Sequence, residues 1–270
     1  MKKLLTVFVL AMFTLTTLAA SGAKEAQGDL SLEKIMDRGS FVLGLDDAFP
    51  PMGFRDENNE IVGYDIDLAK EVFSRMGVDL ILQPIDWSSK EQELATGNID
   101  CIWNGFTITP EREEVILFTD PYLKNQQILV VKADSSYQSI EDVKGKVVGL
   151  QGGSSASDAM DSSPEFKDSL EEIIEFSDNL TALMDLEAGG VDAVLLDLFV
   201  ANDNIQRSGK DFRILSGSLT EENYGIGFRK GDVALRDKVQ SILQDMASDG
   251  TIAAISTKWF GADISTVSGN

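Results

Sequence analysis

The sequence predicts an α/β protein built on mostly parallel sheet, with enough chain for two domains. Three observations carry that expectation. Short apolar runs alternate with amphipathic helical segments from one end of the chain to the other. At 270 residues, 43% hydrophobic and 25% charged, the composition is that of a folded chain with well-filled cores. The conspicuous polar residues Asp46, Trp87, Asn104 to Thr107, Ser154 and Asp197 each fall just past the carboxyl end of a predicted strand. In open α/β sheets that is where ligand crevices form.

The elements follow in order. Ser31 to Arg38 reads as a short helix ended by Gly39, and Phe41 to Leu45 as a strand leading into the irregular Asp46-Asp47-Ala48-Phe49-Pro50-Pro51. Asp65 to Met76 carries Ile66, Ala69, Val72, Phe73 and Met76 at helical spacing and is closed by Gly77. Val78 to Ile85 is a predicted strand, Lys90 to Ala95 a helix, and Ile99 to Trp103 a buried strand. A second series begins with strand Ile128 to Val131, helix Ile140 to Lys144 and strand Lys146 to Leu150. The turn Gln151-Gly152-Gly153-Ser154-Ser155 opens a helix, and strand Ile173 to Phe176 precedes helix Asn179 to Ala188, capped by Ser177-Asp178. Strands Asp192 to Leu196 and Phe212 to Leu215 end the series. Tyr224 to Phe228 then reads as a return strand before helices Val233 to Ser248 and Thr251 to Trp259.

Charge and composition exclude several function classes. A formal net charge of −22 repels phosphates and anionic lipid surfaces, so no nucleic-acid partner is expected. The chain contains no histidine, which excludes Ser-His-Asp chemistry and most zinc sites, and no metal or cofactor is expected. The single cysteine, Cys101, lies mid-strand among apolar residues and reads as a small buried hydrophobe. Residues 1–23 read as a secretory signal peptide: Lys2-Lys3, an apolar run from Leu4 to Leu18, then Ala19-Ala20-Ser21-Gly22-Ala23. Leu18-Ala19-Ala20-Ser21 resembles a lipoprotein processing site with Ser21 where the lipid-bearing Cys would stand, so no lipid attaches to this sequence.

The chemistry concentrates in IDCIWNGFTITPEREEVILFTDPY, residues 99–122. A strand stops at Asn104-Gly105, and a helix starts at Thr109-Pro110, with Thr as N-cap and Pro at the first helical position. Arg112 and the Thr107 hydroxyl, beside amides at a helix start, suit a small carboxylate. The competing reading is an ordinary strand–turn–helix in which Arg112 pairs with Glu111, Glu113 or Glu114. Gly152-Gly153 is not a phosphate loop, because no Lys follows as a P-loop requires.

GLDDAFPPMGF (44–54), GYDIDLAKEV (63–72), GNIDCIWNGFTITPERE (97–113), FTDPY (118–122), GLQGGSSA (149–156), GGVDAVLLD (189–197), GIGFRKGD (225–232) and DGTIAAISTKWFG (249–261) together resemble the polar amino-acid solute-binding proteins of bacterial ABC importers, the family 3 extracellular solute-binding proteins. The resemblance spans the mature chain in order and spacing. It implies a two-lobed, type II periplasmic-binding-protein-like fold, with the ligand cleft between lobes joined by two hinge strands. One lobe would be residues 30–124 plus 223–265, the other 125–222. Carried over by position, Arg112, Thr107 and either Ser154 or Ser155 would hold a ligand's α-carboxylate. The Gly105 backbone and Asp197 would take the α-ammonium. Phe49 and Trp87 would sandwich the ligand side chain, and Asp46 would reach its polar end. Asn104 and Gly105 stand where some relatives that bind basic amino acids have serines. Asp197 also suits a helix N-cap, and Trp87 a packing role. The implied function is extracytoplasmic: a monomer that captures a free polar amino acid, hands it to a membrane permease, and performs no reaction. A ligand-sensing module for a membrane receptor and a carboxylate dehydratase on the same fold are the alternatives.

Overall fold

In the computed structural model, which describes residues 28–269, the strands form two large sheets and one small one. The signal peptide expected over residues 1–23 lies outside the described residues. The first large sheet runs Asp79–Pro84, Ser40–Leu45, Cys101–Ile102, Gly227–Arg229, Ile116–Phe118. The second runs Glu172–Phe176, Val147–Gln151, Ala193–Asp197, Leu123–Lys132, Phe212–Ile214. In each, a single strand runs against the rest: Gly227–Arg229 in the first sheet and Leu123–Lys132 in the second. These are the strands by which the chain enters each sheet from the other, so they arrive from the opposite direction. The small sheet pairs Ala48–Phe49, Gly53–Arg55 and Ile61–Val62 as a meander above the first large sheet.

Both large sheets are covered on both faces. In the second, Leu129 and Val131 join one core cluster with Val148, Leu150, Ala193 and Leu195, while Ile128 and Val130 point to the other with Val194 and Leu196. Those faces differ by the two-residue period of a strand, which is why the run reads as continuously apolar. In the first body, helix Tyr64–Met76 lays Ile66, Ala69, Val72 and Phe73 onto the sheet, and the Phe41 and Phe73 rings stack 4.0 Å apart.

The two bodies meet through Leu123–Lys132, ten residues long, whose first half pairs with Thr220–Tyr224 and whose second half lies in the second sheet. The return strand expected over Tyr224 to Phe228 is divided. Thr220–Tyr224 belongs to the second sheet and Gly227–Arg229 to the first, because the chain crosses between bodies at Gly225-Ile226. The strand expected over Ile99 to Trp103 pairs only at Cys101–Ile102, since Asp100 turns its carboxylate onto the Val42 amide and the Arg38 guanidinium. The segment expected as helix Ile140 to Lys144 is one 3-10 turn, Ile140–Val143, closed by reciprocal Ser139 and Asp142 caps. Helix Leu198–Ser208 follows Asp197 directly, where the sequence offers Asp197 as an N-cap.

Gly63 ties the small sheet to the helix that supports the site. The Tyr64 and Asp65 amides donate to the Pro51 and Met52 carbonyls at 2.8 and 3.1 Å. Gly63 sits at φ 150°, and a Cβ there would fall 2.0 Å from the Met52 carbonyl oxygen, a backbone atom that no side-chain adjustment relieves. Gly63→Ala is expected to destabilise by at least about 2 kcal/mol, combining a backbone conformation that costs ~1–3 kcal/mol with the clash. Thermal unfolding checks this, and an unchanged melting temperature would contradict the placement of this turn.

Candidate functional site

The site begins with a buried acid that the sequence reading did not single out. Asp65, at the start of helix Tyr64–Met76, accepts hydrogen bonds from the Gly105 amide at 2.6 Å and the Tyr122 hydroxyl at 2.9 Å. It is fully buried, and that burial pushes its carboxyl up to about 7. Its effect is to fix the turn after Cys101–Ile102. Gly105 takes φ 57°, and a Cβ there would come 2.8 Å from Phe49 Cε1 and 3.2 Å from the Tyr224 ring. Because the Gly105 N–H is committed to Asp65, only its carbonyl is left to face a ligand. Beside it, Asn104 is buried with neither amide atom partnered.

From this turn the chain reaches Thr107 and then helix Pro110–Val115. Thr109 caps that helix, accepting from the Arg112 amide at 3.2 Å, so the backbone there is already satisfied and what Arg112 offers is its side chain. The guanidinium does not pair with Glu111, Glu113 or Glu114. It donates from Nη1 to the Thr107 carbonyl at 3.0 Å and from Nη2 to Asp158 at 2.9 Å, and lies 4.8 Å from the centre of the Phe106 ring. Asp158 belongs to helix Ser155–Asp161 of the other body, so Arg112 already reaches across the interface. Lys90 does the same, donating to the Gly153 carbonyl at 2.8 Å. Burial first, then the Arg112 charge, holds the Lys90 ammonium below its usual range.

Of the two candidate serines, Ser154 is the helix cap: its hydroxyl donates to the Gln151 carbonyl at 2.7 Å and accepts from the Ala156 amide at 3.2 Å. Ser155 faces the first body, 3.1 Å from the Thr107 hydroxyl. Behind these hydroxyls lies an acid cluster. Asp197 is buried at the end of strand Ala193–Asp197, but its side chain caps no helix. Instead it accepts from Asn125 Nδ2 at 2.5 Å and from the Tyr224 hydroxyl. Glu222 accepts from the same Asn125 Nδ2 and from Thr107, each at 3.0 Å, from Gln127 at 3.2 Å and from Ser155 at 3.4 Å. Burial, then the Glu222 charge, pushes the Asp197 carboxyl up to about 7.

At the far end, Asp46 accepts from Gln151 of the second body at 2.7 Å and from the Ala48 amide at 2.8 Å. Burial raises its carboxyl to about 6 despite both bonds. Asn179 donates to Gln151 Oε1 at 3.2 Å and so orients that amide. Phe49 and Trp87 are both buried: Phe49 lies against Gly105, and Trp87 packs edge-on to Phe106 with centroids 5.8 Å apart. The sequence candidates therefore line one seam between the two bodies, with Ser154 set back in a helix cap.

Further residues of this seam include Asp65, Lys90, Asn125, Gln127, Gln151, Asp158 and Glu222. Asn125 and Gln127 had a signal in the sequence, polar residues at a two-residue spacing where Leu123-Lys124-Asn125-Gln126-Gln127 runs into an apolar strand. Glu222 and Asp158 had none, because acids are common along this chain.

A model of the family described as "Bacterial extracellular solute-binding proteins, family 3" matches residues 41–262. The chain is 27% identical to the L-cystine-binding protein of Escherichia coli strain K12 over 95% of this chain and 96% of that one. It is 30% identical to the arginine-binding extracellular protein of Bacillus subtilis strain 168 over 96% and 98%. A solved ABC uptake transporter substrate-binding protein from Streptococcus pneumoniae with bound histidine superposes with a TM-score of 0.86 at 37% identity, covering 88% of this chain and 99% of that one. These relatives are binding proteins. With a family match across most of its length and a shared two-bodied architecture, this chain belongs to the family 3 bacterial extracellular solute-binding proteins.

Proposed function

We propose that this chain is the extracytoplasmic amino-acid-binding component of an ABC import system. It captures one polar L-amino acid by closure of a lobe of residues 30–124 plus 223–265 onto a lobe of residues 125–222, and presents it, as a monomer, to a membrane permease. The observation that carries the reading is a basic and an acidic group on opposite sides of one seam, the Arg112 guanidinium on the first lobe and the Asp197 carboxyl on the second, which do not pair with each other. A zwitterion withdrawn from water needs both of its charges met, since a buried unpaired ion is strongly unfavourable. Arg112 supplies a fork suited to a carboxylate, with the Thr107 and Ser155 hydroxyls beside it. Asp197 supplies the counter-charge for an ammonium, while Phe49, Trp87 and Asp46 flank the path of a side chain. The cystine-, arginine- and histidine-binding relatives support a free amino acid as the ligand class.

On this reading the protein binds and releases without chemistry. Asp197 and Asp46, whose carboxyls titrate above the ordinary range, would also suit a general acid in a dehydratase. Amino acid incubated with the protein is expected to be recovered unchanged. A dehydrated or deaminated product, detected by mass spectrometry, would replace the binding reading with an enzymatic one.

In a thermal-shift screen of common amino acids and cystine, at least one is expected to stabilise the protein by about 2.7 kcal/mol at a hundredfold excess over its dissociation constant. No shift with any of them contradicts the proposal.

Arg112→Met keeps the aliphatic stem and removes the fork. Truncating one partner of a buried charge pair costs about 2–5 kcal/mol, so affinity measured by calorimetry is expected to fall at least roughly thirtyfold. Asp158→Asn is the control. Its side chain is 47% exposed, and pairs that open to solvent contribute about 0–1 kcal/mol, so binding should change by no more than about fivefold. Equal losses in both variants would make Arg112 a structural tie between the lobes rather than a receptor.

A further inference from the structure

Resting on the reading above, we infer that Glu222 is a second ligand-receiving carboxylate, set beside Asp197 so that the ammonium group of a bound amino acid meets both acids and takes the place of the proton on Asp197. Capture then expels a proton to solvent, and no covalent bond is made or broken.

Three observations meet here. The first is proximity: Asp197 Oδ1 and Glu222 Oε2 accept from one and the same nitrogen, Asn125 Nδ2. The second is the lack of a counter-charge. Among the described residues, no lysine or arginine forms an ion pair with either acid, and the cations of this seam, Lys90 and Arg112, pair with Glu91 and Asp158 instead. A second carboxylate this near the buried Asp197 disfavours ionisation of Asp197 unless a cation meets it. The third is the state of the neighbouring amides. Asn125 and Gln127 both turn their nitrogens onto the acids, which leaves Asn125 Oδ1 and Gln127 Oε1 buried, at 3% and 0% residue exposure, with no donor. Free acceptors beside free acids call for a group that only donates. An ammonium has three N–H bonds and no acceptor.

The groups facing the pair are accounted for on every side. Thr107 and Ser155 contribute hydroxyls, and Asn125 and Gln127 contribute amides. Tyr224 contributes a phenol whose ring lies 6.3 Å from that of Tyr122. Burial pushes both phenols well above their usual range, so they stay neutral and Asp197 is the group that titrates. The sign follows from the ligand's charge. An ammonium favours the ionised pair, so the proton is released on binding. Affinity therefore rises as pH climbs through about 7, where the buried Asp197 carboxyl titrates, and levels off above it.

The test is isothermal titration calorimetry of the mature chain, in phosphate and in imidazole buffer, with whichever of the common L-amino acids and L-cystine stabilises it most in the thermal-shift screen. At about pH 7, roughly half a proton is expected to leave per amino acid bound, read from the difference in heat between buffers. In Glu222→Gln the release is expected to fall at least about twofold, and the midpoint of the affinity–pH profile to move to lower pH, since the neighbouring charge that raises Asp197 is gone. A melting curve of that variant without probe establishes that it is folded. Binding with buffer-independent heat in the unaltered protein overturns the inference, and so does unchanged release in Glu222→Gln. If no common amino acid binds in the thermal-shift screen, the amino-acid reading fails first and this one falls with it, an outcome separable from binding without proton release.

Discussion

The antiparallel pairing of Leu123–Lys132 with Thr220–Tyr224 is the constraint on which the rest of the site depends. Its register sets Glu222 opposite Asn125, Thr220 opposite Gln127 and Tyr224 opposite Leu123. Side chains opposite one another on a two-stranded ribbon are near neighbours, and those two residues apart share a face. Asn125, Gln127, Glu222 and Tyr224 therefore converge on Asp197 without any loop having to place them. The same ribbon is where the chain passes between its two bodies, so the polar floor of the seam and the crossing between the sheets are one element. A one-residue slip of Thr220–Tyr224 would turn Glu222 away from Asp197 and put Glu221 and Asn223 on that face instead.

Around that ribbon the charges are sorted by side. Toward helix Pro110–Val115 lie Arg112 and Lys90, while toward Asp197 and Asp46 lie acids that burial drives toward neutrality. Asp65 belongs to neither group. It lies beneath the turn, binds the Gly105 amide and the Tyr122 hydroxyl, and orients backbone rather than ligand. Four contacts between the two bodies, Arg112 with Asp158, Lys90 with the Gly153 carbonyl, Asp46 with Gln151 and Thr107 with Ser155, are polar, and the Phe199 and Phe260 rings add an apolar one at 5.1 Å. Polar bonds of this kind exchange for bonds to water at modest net cost.

The alternation of elements and the position of candidates at strand ends were legible in the sequence because both follow from local periodicity and turn chemistry. Arg112, Thr107 and Asp197 could be picked out because each stands next to a strand end or a helix start. What escaped was non-local. Glu222 is one acid among many until the strand register brings it to Asn125, and Asp158 becomes a partner of Arg112 only when the two bodies are set face to face. The division of the expected strand Tyr224 to Phe228 had the same cause, since the apolar pattern continues through the crossing between sheets. Ser154 and Ser155 could not be ordered from sequence because one hydroxyl was needed for the helix cap, and the fold decides which.

If Arg112 receives one end of a zwitterion and Asp197 with Glu222 the other, both ends must be present for tight binding. Competition binding with three compounds decides this: the amino acid that binds most tightly, its decarboxylated amine, and its deaminated 2-keto acid. Both analogues are expected to bind at least roughly thirtyfold more weakly than the parent, because each leaves one charge of the site unmet. An amine or a keto acid that binds as tightly as the parent amino acid would contradict it.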